Sequence, residues 1–431
     1  MDGQIQDTIK PTVPNSIEEL GLEFTLMRDI LLKTIFRRNL SNILDIAEAL
    51  CVSVPIAQIL IDNCKEYALI ETLGARGASP TATLRYQLTD GGKTRALDAL
   101  VQSEYYGALP VPLSDFWKQT AKQGIANVNI TQEVLEASLS HLVLPDGMLD
   151  QLGPAVNSGR SVLLYGPPGN GKSSISNGIR DALGDNIFLP RFIEYAGQVI
   201  SLYDPIVHTL AKSEEFDPAA LRRLGPTFDQ RYVLCRRPSV MTGGELELSM
   251  LDLNYNPVSR TYQAPLQLKA TGGVFIVDDL GRQQEPPQAL INRWIVPMEQ
   301  HFDILTLQSG QKFMVPFDTL VIFSTNFSPS EMFDGAALRR IYYKIKVDNP
   351  NREDFIKVFV KTCRHYRITP DESVLMHLLK NKYPEVDNQF ASYHAPFLID
   401  QSLSICDYEG RERGMTVDLV DRAWENLFLE E

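Results

Sequence analysis

The run VLLYGPPGNGKSS at residues 162–174 constrains this chain more than any other stretch. Four apolar, β-favouring residues lead directly into a glycine-rich turn and then a helix start, so the run reads as strand, loop, helix. Gly166, Gly169 and Gly171 permit backbone angles and close approaches that a side chain would block. Successive backbone N–H groups of such a loop point inward and, with the helix N-terminus, form a cradle for phosphate oxygens. Lys172 supplies a cation for the outer phosphates, and the Ser173 hydroxyl a ligand for the accompanying Mg²⁺. The spacing GxxxxGK[ST] arises by chance in roughly one chain of this length in a hundred, and the flanking strand and helix make chance rarer still. Gly166, Pro167, Pro168, Gly169, Asn170, Gly171, Lys172, Ser173 and Ser174 therefore form a candidate site for a nucleoside triphosphate, ATP with Mg²⁺.

About a hundred residues on, GGVFIVDDL at 272–280 is a buried-strand run that ends in two carboxylates. A nucleotide held by such a loop needs its metal gripped from the other side by an acid at a strand end. Asp278 suits that task together with Ser173, and Asp279 is placed to orient or deprotonate the attacking water. TLVIFSTN at 319–326 is the next apolar strand, with Asn326 a candidate partner of the water or the terminal phosphate; a strand-end Asn is also a common turn former. GAALRRIYYKIKV then sets Arg339 and Arg340 between a short helix and another strand. An arginine at a subunit boundary can reach a neighbour's nucleotide and stabilise charge developing in transfer, although a helix end favours basic residues in any case.

The chain's 431 residues imply two or three domains, and a 44% hydrophobic content is ordinary for a protein with a sizeable core. Residues 1–15 are polar and read as a flexible lead-in. Residues 16–103 carry three helical patterns, with Ser41 read as the cap of the second and Pro55 in the first turn of the third. Two strands around a glycine-rich loop and a closing helix capped by Thr89 follow, which together make a winged-helix pattern. Residues 104–129 read as a linker. Residues 130–348 alternate strand and helix signals, and VLLYG, FIEYA, GVFIVDD and TLVIFSTN are the expected strands of a parallel sheet covered on both faces. Residues 349–431 show only helical periodicity. The fold class expected is α/β.

The ordered set GPPGNGKS, FIVDD, STN and LRR, followed by a helical tail, resembles the AAA+ ATPases over residues 130–431. The resemblance implies a P-loop core with a C-terminal helical lid and ATP hydrolysis. It also implies a polar sensor at Asn326, an arginine finger at Arg339 or Arg340 acting in trans, and assembly into a ring, commonly a hexamer. Two inserts resemble those of the MoxR-like and magnesium-chelatase branch: a hairpin turning near 256–259, and a second formed by ILTL and KFMV around QSGQ. The resemblance makes Tyr255 and Tyr262 candidate client contacts, against ordinary cross-strand packing. Two departures stand out. The family more often has Asp-Glu where this chain has Asp278-Asp279, and the stretch 392–401 lacks the lid arginine, His394 being the nearest substitute.

The formal net charge of −13 disfavours bulk attraction to nucleic acid or anionic lipid. Residues 1–105 hold ten Lys/Arg against fourteen Asp/Glu, with Arg37, Arg38, Arg76 and Arg85 as the plausible phosphate contacts. DNA is therefore a less favoured partner than a protein client or the ring itself. Five dispersed cysteines, no ~20-residue apolar span and no signal peptide point to the cytoplasm and to no membrane insertion. The function expected is a ring-forming ATPase that remodels or loads a protein partner. The alternatives are a nucleotide-gated DNA-binding regulator, or an ATP-binding scaffold with little turnover.

Overall fold

The computed structural model describes residues 9–73, 84–211 and 227–428. The first part is built from α1 (Phe24–Arg38), α2 (Ile43–Leu50), α3 (Val54–Glu66), β1 (Ile70–Leu73), β2 (Arg85–Leu88) and α4 (Asp90–Gln102). The two strands pair antiparallel, Ile70 opposite Leu88. The inward stripes of the helices, with Tyr86, form one core that includes Met27, Ile30, Ile46, Leu60 and Ile61. Thr89 caps α4 by accepting from Gly92 N–H at 3.0 Å. The cap of α2 is Asn42 rather than Ser41: its side chain accepts from Leu44 N–H, as the residue adjoining the first helical turn must. Arg76 and the glycine-rich turn around it lie outside the described residues.

The stretch expected as a linker is folded. It contains β3 (Val111–Pro112) and α5 (Leu113–Lys122), whose Phe116 is buried among apolar residues of the following strands. Beyond it come α6 (Gln132–Leu139), α7 (Met148–Asn157), β4 (Val162–Tyr165) and α8 (Lys172–Ala182). Next are β5 (Asn186–Pro190), β6 (Phe192–Tyr195), β7 (Gln198–Ser201), β8 (Tyr232–Arg236), β9 (Ser239–Thr242), β10 (Asn254–Asn256) and β11 (Thr261–Gln263). Then follow β12 (Gly273–Val277), β13 (Phe302–Thr306), β14 (Lys312–Pro316), β15 (Thr319–Thr325) and β16 (Tyr343–Lys346).

Five of these strands make a wholly parallel sheet in the order β16-β4-β15-β12-β9. The strands are apolar throughout because both faces are covered, and alternate residues serve alternate faces. Val162, Leu164, Val274, Ile276, Leu320 and Ile322 pack with residues of α6, α7 and α8. Leu163, Phe275, Val277, Val321 and Phe323 pack with Leu290, Ile291 and Trp294 of the helix Pro287–Gln300.

The run FIEYA does not join this sheet. As β6 it lies in a second, mixed sheet of order β10-β11-β7-β6-β3. A short apolar run followed by a Tyr-Ala-Gly turn makes an antiparallel pair with β7, not a crossover. Both inserts are hairpins, β10 with β11 and β13 with β14. Tyr255 and Tyr262 are direct cross-strand partners with ring centroids 4.8 Å apart, and the buried Tyr262 accepts from Gln308 N–H at 3.1 Å. They fill the hairpin rather than project from it. Four α-helices, Arg352–His365, Glu372–His377, His394–Glu409 and Val417–Leu427, surround a separate core of Phe355, Phe359, Tyr383, Leu398 and Trp424. Among the described residues no single helix is long and apolar enough to cross a membrane.

Candidate functional site

Ligands of parallel α/β sheets collect at the carboxyl ends of the strands, and here three such ends converge. The loop 166–171 leaves β4 and enters α8. It takes three left-handed turns, at Gly166 (φ 138°), Gly169 (φ 77°) and Gly171 (φ 84°). A Cβ on Gly166 would sit 2.3 Å from the Val347 carbonyl oxygen, and one on Gly169 2.1 Å from the Tyr393 ring. Both glycines are therefore dictated by space as well as by backbone angle. Among the described residues, no acceptor is bonded to the backbone N–H groups of Gly169, Asn170 or Gly171. The Lys172 side chain is folded against the loop, its ammonium donating to the Gly166 carbonyl at 2.9 Å and the Pro167 carbonyl at 2.8 Å. Burial pushes its pKa down, opposed by the nearby carboxylates of Asp279 and Asp278.

The strand order explains how the two motifs meet. β15 lies between β4 and β12, so its polar end stands between the loop and the two acids. The Ser173 hydroxyl donates to Asp278 Oδ2 at 2.7 Å across 105 residues of sequence. The other oxygen of Asp278 accepts from the buried Ser324 hydroxyl at the end of β15. Asp278 N–H is tied to the Thr242 carbonyl at 2.7 Å, and Leu280 N–H to the Ser324 carbonyl at 2.7 Å. These bonds hold the acidic turn at the sheet edge. Asp279 is exposed, in a left-handed conformation (φ 50°) that Asp tolerates, and its carboxylate accepts from Asn326 Nδ2 at 3.3 Å. Ser173, Asp278, Asp279 and Asn326 are thus brought together beside Lys172.

The residues present fit an anion and a hard cation. The loop offers free N–H groups and an ammonium, and Ser173 with Asp278 offers two oxygen ligands on one side only. Among the described residues no group of three or more His, Cys, Asp and Glu could hold a metal alone. Two protein oxygens are a number with which Mg²⁺ is commonly held, phosphates and water supplying the rest.

Arg339 and Arg340 close the short helix Gly335–Arg340 at the entry to β16. Arg340 is engaged within the chain, 3.0 Å from Glu299 and donating to the Ala336 carbonyl at 2.8 Å. Arg339 is exposed, and its side chain has no hydrogen bond or ion pair among the described residues.

Four contributors are not singled out by the sequence pattern. Ser324 is one, two residues before Asn326 in the same STN run. The others come from the far end of the chain: Tyr393 N–H donates to the Gly169 carbonyl at 2.9 Å, Ser392 N–H to Asn170 Oδ1 at 3.1 Å, and Asn170 Nδ2 to Asn349 Oδ1 at 2.7 Å. Asn170 therefore spends its side chain on the chain itself and has only its N–H for a ligand. His394 is buried, bonded through its ring to the Tyr383 hydroxyl at 3.0 Å, and its pKa is pushed down to about 4 by burial. It belongs to the helical core.

A family model described as a domain of unknown function (DUF8689) matches residues 351–426. No curated protein matches the chain. Among solved structures, NtrX from Brucella abortus in complex with ADP is 14% identical, covering 77% of this chain and 65% of that one, with a TM-score of 0.39. The Holliday junction branch migration motor RuvB of Thermotoga maritima is 14% identical, covering 70% of this chain and 71% of that one, with a TM-score of 0.33. Both are distant likenesses.

Proposed function

We propose that this chain binds ATP with Mg²⁺ and hydrolyses it, as a member of the AAA+ ATPases that assembles into a ring and remodels or loads a protein partner. The observation that carries the reading is the 2.7 Å contact of Ser173 with Asp278, which joins the phosphate loop to the acidic strand end. Loop N–H groups and Lys172 would hold the phosphates, and Ser173 and Asp278 the metal. Bound Mg²⁺ would neutralise charge on the phosphate oxygens. Asp279, steadied by Asn326, would orient water, and Arg339, whose side chain is unengaged among the described residues, is the better candidate to reach a neighbouring subunit. On this reading residues 16–103 are a winged-helix domain, 130–348 the ATPase core and 349–431 a helical lid.

The first part favours a protein partner over DNA. On α3, Gln58 is bonded to Asp62 at 2.9 Å and to the Tyr86 hydroxyl at 3.0 Å, Lys65 is paired with Asp62 at 3.3 Å, and Asn63 donates to the Ile59 carbonyl. Its base-reading side chains are engaged and its charge is not basic.

Calorimetric titration of the purified chain with ATP and Mg²⁺, beside Lys172→Ala, tests the binding. Saturable heat in the native chain that is lost in the variant is expected. Phosphate release at the rate of the Lys172→Ala control, with ATP bound, would leave the scaffold alternative standing in place of the enzyme.

A further inference from the structure

The phosphate loop is held on one side of its peptide 169–170, and the other side is free for a ligand among the described residues. In a planar trans peptide the carbonyl of one residue and the N–H of the next point in opposite directions. The Gly169 carbonyl is taken by Tyr393 N–H at 2.9 Å, so the N–H of Asn170, on the same peptide plane, is aimed the opposite way and is bonded to nothing among the described residues. The partner sits at the start of the sixteen-residue helix His394–Glu409, more than two hundred residues along the chain. The next residue repeats the theme with its side chain. Buried Asn170 accepts from Ser392 N–H at 3.1 Å and donates to Asn349 Oδ1 at 2.7 Å, on the segment that joins β16 to the helical part. The Tyr393 ring closes against Gly169, where even a methyl group would collide at 2.1 Å.

We infer that the C-terminal helical unit orders the phosphate loop by clamping the peptide 169–170 from outside, and that Asn170 is the positioning residue that couples its docking to nucleotide binding. The inference rests on the nucleotide-binding reading above and assigns a role to the segment that the family model matches. A loop whose peptide planes rotate freely offers N–H groups in many directions; one fixed by its carbonyl side presents them already aligned, so less order is lost on binding. The coupling is reciprocal. If docking the helical unit favours nucleotide, nucleotide favours docking by the same factor. The amides of Ser392 and Tyr393 report the docked state, because docking is what protects them.

Hydrogen exchange on the full chain, with Mg-ATP as the probe, reads this out beside calorimetric affinities. In the native chain ATP slows exchange of the Ser392 and Tyr393 amides. Asn170→Ala weakens ATP binding about tenfold, the loss of one to two net hydrogen bonds, and abolishes the ATP-dependent slowing. Asn349→Ala, which leaves the loop sequence intact, gives the same loss at a smaller size and guards against misfolding of the first variant. ATP bound tightly with unchanged exchange at 392–393, or Asn170→Ala matching the native chain in both readouts, overturns the clamp alone. No ATP binding by the native chain overturns the clamp and the nucleotide reading together.

Discussion

Ser324 shows how much a single hydroxyl carries at this site. It is buried at the end of β15 and donates to Asp278, whose second oxygen is already taken by Ser173. Groups that orient metal ligands are typically worth roughly ten- to a hundredfold in activity or metal affinity. If Asp278 holds the metal as proposed, Ser324→Ala is expected to lower ATP turnover by about tenfold or more while ATP binding changes less, measured as kcat against KM. His394 supplies a pH dependence with a definite sign. Its folded-state pKa, about 4, lies below the ordinary value near 6.5, so at mildly acidic pH the unfolded chain binds the proton more readily. Its contribution to stability is complete above pH ~6.5 and lost as pH falls towards ~4, on the order of 2 kcal/mol between pH 7.5 and 5. Urea denaturation at those two pH values, in the native chain and in His394→Gln, should show a pH dependence smaller by about that amount in the variant.

At the scale of elements, the insertion of β15 between β4 and β12 decides the geometry of the candidate site, because it places Ser324 and Asn326 between loop and acids. A second element-level device joins the first helical part to the rest. Arg231 and Asp229 form a buried pair, side chains 3% and 5% exposed, bonded at 2.8 Å. The same guanidinium donates to the carbonyls of Leu20 and Pro110, both at 3.2 Å, while Asp229 N–H reaches the Pro11 carbonyl. Arg231→Leu would strand a buried carboxylate and free two carbonyls. Breaking such a pair costs about 3–5 kcal/mol, and a midpoint shift of that size in chemical denaturation checks it. The turn of the β10–β11 hairpin is held to the end of α4, where Glu104 N–H donates to the Ser259 carbonyl at 2.9 Å. Together with the buried Tyr262, that contact gives the hairpin a structural role within the chain.

For the whole molecule, the exposed Arg339 and the engaged Arg340 separate two outcomes. If Arg339 completes a neighbour's site, Arg339→Ala keeps ATP binding and loses most of the hydrolysis. Arg340→Ala loses at most ~1 kcal/mol of a partly exposed ion pair. Mixing Arg339→Ala with Lys172→Ala chains should then restore part of the activity, because some mixed interfaces pair an intact loop with an intact arginine. Light-scattering mass with and without ATP and Mg²⁺ should show an ATP-dependent oligomer; a monomer under both conditions would remove the in-trans role. On the proposed reading Asp279 orients the attacking water, and Asp279→Asn tests whether it acts at all, with loss of phosphate release at retained binding expected.

Much of the candidate site's geometry was legible in the sequence, because it is local. Glycines at 166 and 169 are forced by backbone angle and close approach and Gly171 by backbone angle, and an acidic strand end needs only an apolar run followed by carboxylates. The parallel sheet was legible for the same reason, its strands being apolar on both faces, except where β6 formed an equally apolar but antiparallel pair. Residues 104–129, with Pro110 and Pro112 near their start, hid a helix whose buried residues are Phe116, Gln119 and Thr120, only one of them apolar. What the tertiary structure alone decided is long-range. It put Ser324 between the two motifs, engaged Arg340 while leaving Arg339 open, and carried Ser392 and Tyr393 back onto the phosphate loop. Local pattern records how a segment folds and which face it buries. It holds no record of which distant backbone N–H will satisfy a given carbonyl, since that depends on packing between segments whose separation in sequence is arbitrary.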